Sequence, residues 1–265
     1  MPEPLTYGRY LHLDELLAAQ TPLSRPQAHD ELLFIIQHQT SELWLKLALH
    51  ELTGACDDMA GDDLALALKR LARVKQVQKQ LIEQWSVLAT LTPTEYQRFR
   101  GFLGSSSGFQ SYQYRAVEFL LGAKDAAMLE VFADDPAART LLTAARDRPS
   151  LYDEFLRLLA RRGHPVPDDV VDRDVREAHR EDPRLVEVFR TIYDEPERSW
   201  DVYETCEALV DVEDNMQLWR FRHLKTVERT IGLRTGTGGS SGAPFLRRAL
   251  ELTFFPELYA VRTAL

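Results

Sequence analysis

The fold is decided by SWDVYETCEALVDVEDNMQLWRFRHLKTVERTIG, residues 199–232, a stretch with no helix breaker before its last residue. Neither proline nor glycine occurs from Glu197 to Ile231, and apolar residues recur at helical spacing through Leu209, Met216 and Trp219. Glycine is the residue type that most often follows the end of a helix. The pattern therefore predicts one helix of about 30 residues, which starts near Ser199 and ends at Gly232.

A second region poor in helix breakers lies between Pro26 and Pro93, where no proline occurs. It predicts two long helices. On the first, Phe34, His38 and Glu42 follow one another at four-residue spacing and share a face. The second carries a near-heptad series that suits a long packed helix, namely Leu64, Leu68, Leu71, Val74, Gln78, Leu81, Trp85 and Leu88.

Shorter helices are predicted between and after the long ones. Thr92-Pro93-Thr94-Glu95 has the form of a capping box, and Tyr96 and Arg100 share a face of the helix that it starts. Residues 103–108 read as a flexible loop, residues 112–121 as a helix closed by Gly122, residues 123–197 as several short helices, and residues 245–252 as a closing helix. Because no segment alternates with the period of a strand, the prediction is a single all-α domain, 1–265, built as a helical bundle with long central helices.

Composition excludes several classes of protein. The chain has 265 residues with 32 Lys and Arg against 41 Asp and Glu, a formal charge of −9, which disfavours nucleic-acid binding. The longest apolar run, residues 32–36, is too short to cross a membrane. The first residues lack the basic and apolar regions of a signal peptide, and Cys56 and Cys206 are too few for a disulfide framework. We therefore expect a cytoplasmic protein.

Residue patterns leave the chemistry open. No histidine has the spacing of a zinc protease or of a helical di-iron site, whereas a haem ligand requires only one histidine on a helix. Each histidine can equally be structural. Residues 236–242, rich in glycine, serine and threonine, fail both nucleotide-loop patterns and can form a mobile lid or a plain linker. Arg100 can bind a carboxylate through two hydrogen bonds or remain a solvated surface charge. Phe34 can line a pocket or belong to the core.

Several segments taken together resemble the tryptophan 2,3-dioxygenase family. They lie in order from about residue 6 to residue 258, and residues 125–195 match only loosely. The segments are Thr6-Tyr7-Gly8-x-Tyr10-Leu11, HDELLFIIQHQTSELW (29–44), Thr92-Pro93-x-Glu95-Tyr96-x-x-Phe99-Arg100, SSGFQS (106–111), WRFRH (219–223), GTGG (236–239) and FPEL (255–258). Ser41 and Tyr259 depart from the family's residues, but neither is a predicted site position.

The resemblance implies an all-α bundle around a buried haem b, one per subunit and ferrous when active, with O₂ as co-substrate. It makes His223 the axial ligand of the haem iron and places His38 on the opposite side, near the indole N–H of L-tryptophan, as the catalytic residue. The cofactor-binding residues it implies are His223, Trp85, Ser107 and Gly108. The substrate-binding residues it implies are Phe34, Ile35, Ile36, Gln37, His38, Tyr96, Arg100 and Thr237, joined by Tyr7, Tyr10 and Leu11 of a neighbouring subunit.

The family also implies self-association. Its N-terminal segment, here residues 1–25, reaches a neighbouring subunit in a homotetramer built as a dimer of dimers. The implied reaction is cleavage of the indole C2–C3 bond by O₂ to give N-formyl-L-kynurenine. Three alternatives stay open on the sequence: a related haem enzyme for another indole amine, a haem or tryptophan sensor without catalysis, and a helical scaffold that binds no haem.

Overall fold

A computed structural model describes residues 4–239 and 241–265. Over these residues the chain forms thirteen α-helices and three 3₁₀ helices, with no β-strand. The α-helices are α1 (Tyr7–Tyr10), α2 (Leu13–Ala18), α3 (Glu31–Ala60), α4 (Leu64–Leu88), α5 (Pro93–Arg100), α6 (Tyr112–Leu121), α7 (Pro136–Asp147), α8 (Leu151–Arg161), α9 (Asp168–Val171), α10 (Pro183–Asp194), α11 (Trp200–Ile231), α12 (Ala243–Ala249) and α13 (Pro256–Ala264). Residues 1–3 of the predicted N-terminal segment and Ser240 of the glycine-rich loop lie outside the described residues.

The predicted all-α class is confirmed, and so are the three long helices α3, α4 and α11. The capping box at the start of α5 is present, with the Thr92 hydroxyl accepting from the Glu95 N–H and the Glu95 carboxylate accepting from the Thr92 N–H. Gly122 closes α6 at φ 116°, a conformation that favours glycine.

Some predicted boundaries were wrong. The closing helix spans Ala243–Ala249 rather than 245–252, because Pro244 is accommodated in its first turn. Helices α1, α2 and α13 were not predicted, and the predicted loop 103–108 ends in a 3₁₀ helix, Gly108–Gln110. These short elements lack the extended periodicity that identifies a helix in a sequence.

The three long helices form the centre of the bundle. Helix α4 packs against α3 on one side and against α11 on the other. Arg162 donates hydrogen bonds to Asp62, just beyond the end of α3, at 2.7 Å and to Asp201, at the start of α11, at 2.6 Å. The end of α3 therefore lies beside the start of α11, and the two helices run in opposite directions. The main apolar core lies on the side of that junction and adds residues from α6, α8, α10 and α13.

A smaller core cluster lies at the other end of the long helices. It contains Trp85, Leu88, Leu91, Tyr96 and Phe99, with Phe34 and Trp219 packed against it. This end brings the start of α3 and the last third of α11 together. Among the described residues, no helix is both long enough and apolar enough to cross a bilayer.

Candidate active site

An apolar wall is built where α3 meets α5. The ring centroid of Phe34 lies 5.8 Å from that of Tyr96 and 5.5 Å from that of Phe99. Phe99 is fully buried, whereas Phe34 is half-buried and keeps an accessible face. Aromatic rings at these separations form favourable offset or edge contacts, so they hold one another in place. The wall presents a fixed flat surface of the kind that an aromatic ligand requires.

His38 lies one helical turn beyond Phe34, and the centroids of their rings are 4.2 Å apart. Its Nδ1 atom is 2.7 Å from the Phe34 carbonyl oxygen. Because a carbonyl oxygen only accepts, Nδ1 carries the proton and Nε2 is left as an acceptor in the neutral ring. Burial lowers the pKa of His38, which keeps the imidazole neutral near pH 7. His38 thus offers one acceptor nitrogen beside the apolar wall.

His223 lies on α11 between two tryptophans. Its ring stacks on Trp85 with centroids 4.7 Å apart and planes 11° apart, and the Trp219 ring lies 5.4 Å away. Burial, with smaller contributions from the charges of His38 and Arg115, lowers the pKa of His223 to about 4. The imidazole is therefore neutral at physiological pH, and neutral imidazole is the form that ligates iron. Phe34, which contacts His38, packs against the same core cluster that contains Trp85, so both histidines border one cluster.

The surroundings of His223 fit a haem. The indole N–H groups of Trp85 and Trp219 are buried without a hydrogen-bond partner in the described part of the chain. Buried donors are normally satisfied, so unpaired ones indicate a site that is completed by a ligand. Of the other two predicted cofactor residues, Ser107 is half-buried and Gly108 is exposed in the connection before α6. A neutral imidazole, flanking aromatic rings and free donors together suit a planar aromatic cofactor that carries a metal.

Arg100 and Thr237 are brought together by the loop that follows α11. One Arg100 amino group donates to the Thr235 carbonyl oxygen at 2.7 Å, and the Thr237 hydroxyl donates to the Ser106 carbonyl oxygen at 2.5 Å. Arg100 is half-buried and lies one turn beyond Tyr96, whose pKa is raised by burial. The loop therefore covers a guanidinium whose remaining N–H groups can bind an anion.

Two glycines allow the loop to lie so close. A Cβ atom at Gly238 would be 2.6 Å from the Ser107 Cβ, and one at Gly242 would be 2.6 Å from the Arg234 carbonyl oxygen. Gly242 also has a φ of 67°, which is strained for other residues. Gly238 thus allows the loop to pack closely against residues 101–107, and Gly242 allows the loop to pack closely against its own start.

The remaining predicted substrate-binding residues differ in exposure. Ile36 is 44% exposed, and a residue two positions after Phe34 points to the opposite side of the helix. Ile35 is half-buried and Gln37 is buried within α3. Tyr7 and Tyr10 are 76% and 69% exposed and Leu11 is 40% exposed, so the fold of one chain places none of these three in a pocket.

Trp219 is a site residue that sequence reasoning did not select, although it lies within one of the family-like segments. Its ring stacks on Tyr114 with centroids 4.9 Å apart and contacts Trp85 at 5.5 Å. The sequence feature that could have identified Trp219 is its position four residues before His223, because this spacing puts both side chains on one face of α11.

Comparison with known proteins gives a consistent result. The sequence profile of a family described as tryptophan 2,3-dioxygenase matches residues 2–151 and 185–265. The chain is 68% identical over 259 residues to the tryptophan 2,3-dioxygenase of Kineococcus radiotolerans, covering 98% of this chain and 91% of the relative. It is also 68% identical to that of Saccharopolyspora erythraea, with 98% and 92% covered, and 62% identical to that of an Arthrobacter species, with 98% and 91% covered.

Proposed function

This chain belongs to the tryptophan 2,3-dioxygenase family, and from that premise we propose that it cleaves the indole C2–C3 bond of L-tryptophan with O₂. The product is N-formyl-L-kynurenine, which carries both oxygen atoms, and the reaction is the first step of tryptophan degradation by the kynurenine pathway. The observation that carries the proposal is one aromatic cluster that borders both histidines, with Phe34 against His38 and with Trp85 and Trp219 against His223.

The cofactor is haem b, one per subunit and ferrous in the active state, held by His223 as the axial ligand. Trp85 fixes the plane of that imidazole by stacking on it. Ser107 and Gly108 are assigned to the cofactor by their match to the family's SSGFQS segment. When bound, the haem would supply the activation of O₂, and His223 would hold it. The neutral state of His223 supports this assignment, because ligation requires an unprotonated nitrogen.

The substrate has an apolar ring and a zwitterionic head, and the site matches both parts. Burying an aromatic group of ~150–250 Å² at ~25 cal/mol per Å² stabilises the complex by about 4–6 kcal/mol before entropic losses. Phe34 and Tyr96 supply that surface, and the turn through Ile35, Ile36 and Gln37 joins Phe34 to His38. A charge-assisted hydrogen bond from Arg100 to the carboxylate adds about 1.5–3 kcal/mol and selects an amino acid over bare indole.

His38 orients the indole. Because Nδ1 donates to the Phe34 carbonyl, Nε2 is available to accept the indole N–H. This hydrogen bond would fix the rotation of the indole ring in the site and so orient its C2–C3 bond for reaction. Thr237 contacts the ammonium and carboxylate end, and closure of the loop over Arg100 excludes water and retains reactive oxygen species.

We propose that the chain is a single domain that assembles as a cytoplasmic homotetramer, a dimer of dimers. Helices α1 and α2 bury none of their residues and are connected to α3 through Gln20 and Gln39 (2.6 Å between Nε2 and Oε1). Exposed aromatic and apolar residues of this kind usually cover another surface. Tyr7, Tyr10 and Leu11 would complete the substrate site of a neighbouring subunit.

The test is incubation of the reduced, haem-loaded protein with L-tryptophan under ¹⁸O₂, followed by mass spectrometry of the product. We expect N-formyl-L-kynurenine that carries both labelled atoms. Binding of haem and tryptophan without product would contradict the proposal and identify a sensor. Oxidation of other indole amines in place of tryptophan would also contradict it, and so would a protein that binds no haem.

A further inference from the structure

A buried cluster of charges lies beside His223. Arg115 and Glu118 on α6 and Arg220 on α11 are 8%, 4% and 2% exposed. Each oxygen of Glu118 accepts a hydrogen bond from a different arginine. An Arg115 amino group donates to Oε2 at 2.5 Å, and an Arg220 amino group donates to Oε1 at 2.9 Å. Two guanidinium groups and one carboxylate leave the cluster with one excess positive charge.

The excess charge belongs to Arg115 rather than to Arg220. Other donors of Arg220 are bonded, its Nε to the Tyr114 hydroxyl at 3.1 Å and its second amino group to the Leu252 carbonyl oxygen at 3.3 Å. Tyr114 supplies no negative charge, because burial raises its pKa. Arg115 lies between the rings of Phe109 and Tyr114, 5.0 and 5.1 Å from their centroids, and its Nε is buried without a partner in the described chain.

Trp219 supplies a second unpaired donor, its buried indole N–H, and Tyr114 links it to Arg115 because both side chains pack on the Tyr114 ring. A tryptophan has only one polar atom, so its whole hydrogen-bonding capacity is unmet. A buried positive charge and unpaired donors are both costly unless a negatively charged acceptor joins them. A carboxylate satisfies both requirements, since it accepts several hydrogen bonds and carries one negative charge.

We propose that Arg115 and the indole N–H of Trp219 form a buried anion site that binds one carboxylate of the haem. The inference rests on the proposed function, because haem b is the group that brings carboxylates next to His223. The substrate carboxylate is assigned instead to Arg100 on α5, which bonds the loop after α11. Arg115 is thus a cofactor-binding residue that acts through charge, while Trp219 acts through one hydrogen bond.

The experiment is a titration of the apoprotein with haem b and with haem b dimethyl ester, in which both carboxylates are neutralised, followed by the absorbance of the ligated iron. For the wild type we expect haem b to bind about 10- to 100-fold more tightly than the ester, the range of a charge-assisted hydrogen bond. In Arg115→Gln that preference should largely disappear. Trp219→Phe, which keeps the ring and removes only the N–H, should reduce it by a smaller factor.

The design separates a lost carboxylate interaction from general damage. Damage to the fold weakens binding of both porphyrins equally, whereas the proposal requires a change in their ratio. Arg190→Gln, on the surface of α10, is the matched control and should leave the ratio unchanged. An unchanged ratio in both Arg115→Gln and Trp219→Phe would overturn the inference while haem binding upholds the proposed function. Failure of the wild type to bind either porphyrin would overturn both.

Discussion

The two ends of the long helices are built on different principles. The packed end consists of residues 45–60 of α3, α8, α10, residues 200–216 of α11, and α13, and its side chains form the main core. The open end consists of residues 31–42 of α3, α5, residues 101–111 and residues 219–239. Here Phe34, His38 and His223 are only half-buried. The same two helices, α3 and α11, thus contribute a sealed core at one end and accessible aromatic surface at the other.

Polar groups show the same contrast. In the packed end, the fully buried Glu257 accepts from the Tyr152 hydroxyl at 2.8 Å and from the Asp182 N–H at 2.8 Å, and it pairs with His179 Nε2 at 2.6 Å. In the open end, the indole N–H groups of Trp85 and Trp219 have no partner among the described residues. Glu51 Oε2 and Gln78 Oε1 in the long helices also lack a hydrogen-bond partner in the described chain, but the other polar atom of each side chain is bonded, whereas each indole has its only polar atom unpaired. We therefore expect the open end to be completed by what it binds.

The largest expected effect comes from truncating one phenylalanine at each end. Phe155→Ala removes a fully buried ring from the packed end and should lower the free energy of unfolding by about 3–5 kcal/mol. Phe34→Ala removes a half-buried ring and should cost clearly less stability, while it raises KM for tryptophan. Urea unfolding of both variants, with steady-state kinetics, checks the contrast. Equal losses of stability would remove the distinction between the two ends.

A pH-dependent effect is expected from Glu213 in the packed end. Burial raises its pKa from 4.5 to about 7, although the N–H groups of Phe255 and Phe254 counteract part of this shift. Between about pH 4.5 and 7 the folded protein holds a proton that the unfolded chain releases, so stability falls as pH rises through this window, by up to about 3 kcal/mol. Glu213→Gln should abolish that fall.

Denaturant unfolding at several pH values provides the measurement for Glu213. Glu228→Gln is the control, because the pKa of Glu228 is lowered by Lys225 and Arg247, and its titration lies below the window. A Glu213→Gln protein that keeps the wild-type slope would show that this carboxyl group does not retain the proton.

Replacing Arg100 tests whether the open end binds the carboxylate of the substrate through a positive charge. Arg100→Gln should lower kcat/KM for L-tryptophan by about 10- to 150-fold, the equivalent of one charge-assisted hydrogen bond. The variant should also lose the preference for tryptophan over tryptamine, which lacks the carboxylate. Arg98→Gln, on the exposed side of the same helix, is the matched control. If the preference persists without Arg100, another residue binds the carboxylate.

A smaller effect is expected at His38. His38→Ala should lower kcat by about fivefold without abolishing turnover, because the loss of one orienting hydrogen bond amounts to roughly 1 kcal/mol. Haem absorbance and tryptophan binding should stay near the wild-type values. Complete loss of turnover with both kinds of binding intact would show instead that His38 acts as a base.

Long-range periodicity explains which parts of the fold could be predicted. Helices α3, α4 and α11 each repeat their apolar pattern over many turns, and Gly61 and Gly232 follow the ends of α3 and α11. The short helices α1 and α2 have no buried face, so their sequence carries no amphipathic signal. The start of α12 was misplaced because a proline can begin a helix as well as interrupt one.

The residues of the candidate site could be predicted where they lie on one helix, but not where they come together from different helices. His38, Phe34, Tyr96 and Arg100 follow four-residue spacings within single helices, which a sequence displays. The stacking of Trp85 on His223 joins α4 to α11, and the pairing of Arg220 with Glu118 joins α11 to α6. Contacts between distant segments depend on tertiary packing, so resemblance to a family suggested Trp85 and only the structure drew attention to Arg115 and Trp219.

The most direct test of the account is a haem titration of the wild type, His223→Ala and His38→Ala. The account predicts one ligated haem per chain, with the same absorbance spectrum, for the wild type and His38→Ala, because His38 does not bind the iron. For His223→Ala it predicts loss of stable ligation while the fold is retained. A wild-type haem spectrum in His223→Ala would contradict the central claim that the open end is organised around this histidine.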